Sequence, residues 1–104
     1  MCDVESTKIW LKSVFNINKE IDFEIENIKT SQKRLYELQK RRKEIFAIIN
    51  QVKQPEYKQI LHKRYIQGKK WEDISEEMIY ELQSVHRLHN GAVVEVCKLR
   101  KEQT

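Results

Sequence analysis

Turn-forming residues are almost missing from this chain. Two glycines, Gly68 and Gly91, and one proline, Pro55, serve 104 residues. A sheet-rich fold needs such residues at every chain reversal, so an all-β architecture is nearly excluded. With 39% hydrophobic and 35% charged residues, the composition is that of a soluble, helical, cytoplasmic protein. At this length one domain is expected, or a small domain with an appendage. No stretch approaches the ~20 apolar residues of a membrane span. Residues 1–20 lack the apolar run and small-residue cleavage site of a secretory signal. Cys2 and Cys97 lie at opposite ends. A disulfide between them is not expected in a reducing compartment. Cys97 reads as a small apolar helix residue, and Cys2 as an exposed thiol.

The first half carries a long apolar repeat. Val14, Ile21, Ile28, Leu35 and Ile49 share one heptad position, and Trp10, Ile17, Leu38, Ile45 and Val52 share the other. Glu24, Ser31 and Arg42 interrupt the seam, yet its phase persists for six heptads. This argues for helix throughout and a coiled-coil-like seam. Asn16 and Asn18 are weak helix formers, which predicts the end of a short first helix there. One long helix is then favoured over residues 17–53, because a turn usually resets the phase. A helical hairpin capped at Thr30-Ser31 is the alternative. A helix this long cannot bury its stripe alone, so a homo-oligomer, most simply a dimer, is expected.

Pro55 suits the first turn of a new helix, and the pattern changes there. Tyr57, Ile60, Leu61, Tyr65 and Ile66 form a compact apolar face that should stop at Gly68. Trp71, Ile74, Ser75 and Met78 predict a short second helix with Glu72 and Asp73 in its first turn. A break follows near Ile79–Glu81. A third helix carries Val85, Leu88, Ala92, Val93 and Val96, and Lys98–Thr104 should fray. The expected fold is therefore all-α. Residues 1–54 form a helical oligomerisation or interaction region, and residues 55–104 a three-helix, helix-turn-helix unit.

Charge is unevenly placed. Residues 1–28 hold three basic and six acidic side chains, residues 29–70 thirteen and three, and residues 71–104 four and seven. The basic middle, densest at Lys40-Arg41-Arg42-Lys43, suits a polyanion or an acidic protein surface. The plainer alternative is a solvated helix face pairing with Glu20–Glu26. In the carboxy-terminal unit, burial of Val85, Leu88 and Ala92 leaves Gln83, Ser84, His86, Arg87 and Asn90 outward. Arg87 matches a guanine edge, and Gln83 and Asn90 match adenine in the major groove. Lys63, Arg64, Lys69 and Lys70 precede the motif and suit phosphate contacts. His86, His89 and Cys97 do not assemble a zinc site, which needs about four convergent ligands. No catalytic triad or glycine-rich phosphate loop is present, so neither an enzyme nor a cofactor is expected.

The run Leu61-His62-Lys63-Arg64-Tyr65-Ile66-Gln67-Gly68-Lys69-Lys70-Trp71-Glu72-Asp73-Ile74, followed by Val85-His86-Arg87-Leu88-His89 and then Ala92, resembles the phage-encoded transcription regulators of the RinA and ArpU type. Their carboxy-terminal half is similar to region four of bacterial sigma factors. The resemblance covers about residues 57–97. It implies a DNA-binding regulator of late or packaging genes, acting at a promoter with host RNA polymerase. It also implies a reading helix from Glu81 with Leu82, Gln83, Ser84 and Arg87 facing bases. Glu81 stands where a serine or threonine cap is usual. Gly91 lies inside that helix, at about 1 kcal/mol relative to alanine. Two other functions fit the same features. One is a protein-interaction module for polymerase, a sigma factor or another regulator, motivated by Glu81 and the acidic balance of residues 71–104. The other is a small subunit of a DNA-packaging complex, which also joins a helix-turn-helix to an oligomerising region.

Overall fold

The computed structural model describes residues 3–26 and 32–102. The described residues form helices and their connections, with no strand among them. Helix α1 is Val4–Glu26 and α2 is Gln32–Gln51. Helix α3 is Pro55–Leu61, widening into a π turn at His62–Ile66. Helices α4, Trp71–Met78, and α5, Leu82–Glu102, follow.

The amino-terminal half departs from the favoured expectation. Asp3 caps α1: its carboxylate accepts the Ser6 N–H at 3.0 Å, and its carbonyl accepts the Thr7 hydroxyl at 2.9 Å. The helix then continues through Asn16 and Asn18 to Glu26. Weak propensity costs only about 0.5 kcal/mol per residue, and the burial of Val14, Ile17 and Ile21 exceeds it. Asn18 also accepts a 3.0 Å bond from the Arg42 guanidinium.

The single helix expected over residues 17–53 does not form. Two helices, α1 and α2, stand in its place, and α2 packs along α1. Arg34 meets Glu24 while Arg42 meets Asn18, so the two helices run antiparallel. The proposed Thr30-Ser31 cap lies outside the described residues. Folding back covers Val14, Ile17 and Ile21 with Leu38, Ile45 and Ile49 inside one chain. The stripe that motivated an oligomer is thus largely covered without a partner.

The remaining boundaries follow their signals. Pro55 stands at the start of α3. Gly68 takes a left-handed φ of 70° beyond the π turn. Helix α4 buries Ile74 completely and half-buries Trp71 and Met78. The Ser75 hydroxyl donates to the Tyr80 carbonyl and closes the turn after α4. Ile79, the hinge of that turn, adopts a left-handed conformation at φ 57° and is 87% exposed. A left-handed residue with a Cβ costs roughly 1–2 kcal/mol. Ile79→Gly is therefore expected to raise stability by about 1 kcal/mol and the melting temperature by roughly 5 °C, read by a thermal melt.

Helix α5 does not fray at Lys98; it stays helical to Glu102, and residues 103 and 104 lie outside the described part. Val96 and Cys97 are buried, and the Arg100 guanidinium lies 4.2 Å from the centre of the Trp10 ring. These contacts fasten the last turns of α5 to the rest of the chain. Cys97 is a free thiol in the core, and Cys2 is outside the described residues. Gly91 is explained by a neighbour: an added Cβ would stand 2.5 Å from the Tyr57 hydroxyl. The core itself runs unbroken across the 54/55 boundary, from Leu11 and Ile49 to Ile60, Ile74 and Val93.

Candidate nucleic-acid interface

Helix α5 has two faces. Val85, His89, Ala92, Val93 and Val96 point into the core. Around its first turns Leu82, Gln83, His86, Arg87 and Asn90 are exposed, and Ser84 is half-buried. The three-residue turn Ile79–Glu81 joins α4 to this helix, and the Glu81 carbonyl accepts the Val85 N–H at 3.0 Å. The amino-terminal hairpin packs on the inner side and leaves the outer face of these turns uncovered.

An aromatic relay fixes how α4 and α5 meet. Phe15 of α1 stacks on Tyr65 at 5.7 Å between ring centres. The Arg64 guanidinium lies 4.6 Å from the Trp71 ring centre and 5.3 Å from that of Phe15. Trp71 in turn meets His89 edge-on at 4.7 Å and His86 at 5.0 Å. Tyr65 and His89 share a buried hydrogen bond of 2.7 Å. Burial pushes the Tyr65 hydroxyl up to about 12, against the opposing charge of Arg64. Burial first, then Lys8, His86, Arg64 and Lys12, brings His89 down to about 4. His89 is therefore neutral and structural at neutral pH.

The basic residues before the turn are not equivalent. Lys63 and Lys69 both bind the Glu77 carboxylate, whose pKa their hydrogen bonds lower. Arg64 donates to the Lys69 carbonyl at 2.9 Å besides stacking on Trp71. Lys70 is exposed and holds no ion pair among the described residues. Of the four cations assigned to phosphates, Lys70 alone is uncommitted, while the other three shape the α3–α4 connection.

Arg87 also borders an open cleft of about 330 Å³ with Glu56, Tyr57, Tyr80, Ser84 and Leu88. Tyr80 donates to Glu56 there at 3.1 Å, which raises the Tyr80 pKa. Sequence reasoning missed the inward place of His89. The signal was present: it lies four residues after Val85 and three before Ala92, on the apolar stripe. The stacking role of Arg64 had no comparable signal, because its ring partners come from α1 and α4.

Among the described residues, no three His, Cys, Asp or Glu side chains converge in a way that holds a metal ion. Among them also, no helix is long and apolar enough to cross a membrane. Compared with protein families, with curated proteins and with solved structures, the chain matches none of them.

Proposed function

We propose that the chain is a DNA-binding transcription regulator that reads duplex DNA with the outer face of α5, using α4 and α5 as a helix-turn-helix. The observation that carries this reading is the exposure of Leu82, Gln83, His86, Arg87 and Asn90 together on one face, while α4 is anchored beneath by Ile74 and Trp71. A helix entering the major groove needs such donors and acceptors free and its opposite face held rigidly. The resemblance to regulators of the RinA and ArpU type supports the same assignment. It extends it to phage late or packaging promoters and to action beside host RNA polymerase in the cytoplasm.

The test is selection from a random duplex pool at low salt. The wild-type chain enriches a defined site. Arg87→Ala relaxes discrimination at one base position by about 1–3 kcal/mol, whereas Lys70→Ala weakens every sequence alike and lowers the salt slope by about 0.9. Enrichment of no site by the wild type would rule the reading out.

A second reading has its own observation. Ile79, Tyr80 and Leu82 are exposed apolar residues around the turn, a surface that suits a protein contact with polymerase, a sigma factor or another regulator. Capture of polymerase by the wild type and its loss in Ile79→Asp, with no DNA retained at low salt, would favour it.

A further inference from the structure

A duplex-reading α5 leaves a charge problem. Its first two turns bring one arginine or lysine, Arg87, to the outer face. Lys63 and Lys69 are shared with Glu77 and Arg64 is stacked on Trp71, which leaves Lys70 as the one uncommitted cation of these four. Affinity for duplex DNA comes largely from neutralised phosphates, so the cations must stand elsewhere.

They stand on α2, which carries six basic residues against two acidic ones. The structure sorts these cations, and sets the exposed Arg41 apart, beyond Glu37 and Glu44. Arg34 reaches across the hairpin to Glu24 at 3.0 Å and Glu20 at 3.9 Å, and Arg42 reaches Asn18. Lys33, Lys40 and Lys43 are exposed, and none holds an ion pair among the described residues. At 100° per residue these three fall within about 80° of arc, opposite the buried Leu38, Ile45 and Ile49. Tyr36, 65% exposed, lies between them. Glu37 and Glu44 border one edge of the stripe without pairing to it.

We infer that this outer face of α2 is a second nucleic-acid surface. It holds the phosphate backbone of the duplex flanking the site that α5 reads. The inference rests on the duplex reading of α5. Lys33 and Lys43 are separated by about 15 Å of helix. A DNA strand carries a phosphate every ~3.4 Å of axis, so each ammonium meets its own phosphate. Tyr36 supplies a flat apolar contact among the lysines.

The test is the triple variant Lys33→Gln, Lys40→Gln, Lys43→Gln, with an unchanged thermal melt confirming its fold. Binding is measured against salt on a selected duplex of about 40 base pairs, and on one trimmed to about 12 around the site. On the long duplex the variant's salt slope is shallower by about 2.7, so between 50 and 200 mM the wild type loses about 40-fold more affinity. Base discrimination is unchanged, and on the trimmed duplex the two proteins bind alike. Equal slopes on the long duplex would overturn the inference, and so would an equal loss on the trimmed one. Failure of the α5 reading looks different. There Arg87→Ala leaves discrimination intact, while the triple variant still loses salt-dependent binding, which sustains the α2 surface as a non-specific one. A wild type that binds no duplex at low salt would overturn both.

Discussion

Acidification from pH 7 to pH 4 is expected to remove about 3 kcal/mol of stability through His89 alone. The side chain is 6% exposed, and its pKa falls from 6.5 to about 4 on folding. Well above pH 6.5 the ring is neutral in both states and contributes no pH dependence. Between 6.5 and 4 the unfolded chain binds a proton that the folded chain refuses, so the equilibrium moves toward unfolding as pH falls. Burial is the main cause; Lys8, His86, Arg64 and Lys12 add repulsion. His62, also lowered, shifts stability in the same direction from a partly exposed place beside Asn50. Comparison with a variant isolates His89. His89→Gln keeps a hydrogen-bonding partner for Tyr65 and removes the titration. Its stability deficit relative to the wild type, read by urea melts, should close by about 3 kcal/mol between pH 7 and pH 4. A deficit that stays constant over that range would contradict the neutral, buried state of His89.

Ile74→Ala is expected to cost about 2–5 kcal/mol, a large part of the roughly 5–15 kcal/mol that holds a domain of this size. Ile74 is the buried residue of α4, and the helix has eight residues in which to anchor itself. Trp71 and Met78 contribute only half-buried contacts. The truncation therefore loosens the element against which α5 is oriented, and duplex affinity should fall along with stability. Glu76→Ala, on the exposed side of the same helix, should stay within about 0.5 kcal/mol. Denaturant melts of the two variants provide the comparison.

Much of the carboxy-terminal half was legible from residues alone, because its boundaries rest on local chemistry. Pro55 opens a helix, Gly68 supplies a left-handed terminus, and the break at Ile79–Glu81 separates two apolar stripes of different phase. The outward set on α5 followed from helical periodicity in the same way, save Ser84, which is half-buried. The amino-terminal hairpin was legible only as the less favoured of two readings. Ile21 and Leu35 are separated by two whole heptads, so the seam keeps its phase whether the chain runs straight or turns back. Asn16 and Asn18 misled for a related reason: a bond from Arg42, distant in sequence, outweighs local propensity. Gly91 looked like a defect of the reading helix, and only the approach of Tyr57 gives it a purpose. The charge sorting on α2 was equally hidden. Which cations face Glu24 and which face solvent depends on the antiparallel register of the hairpin.

The proposed role depends on the outer face of α5 meeting base edges. Backbone amide shifts of the labelled protein, followed by NMR as a selected duplex is added, test this most directly. The largest changes are expected over Leu82–Asn90 and at Lys70, with the buried stripe from Val93 to Cys97 little altered. A duplex that binds while Gln83, Arg87 and Asn90 keep their free-state shifts would contradict the account.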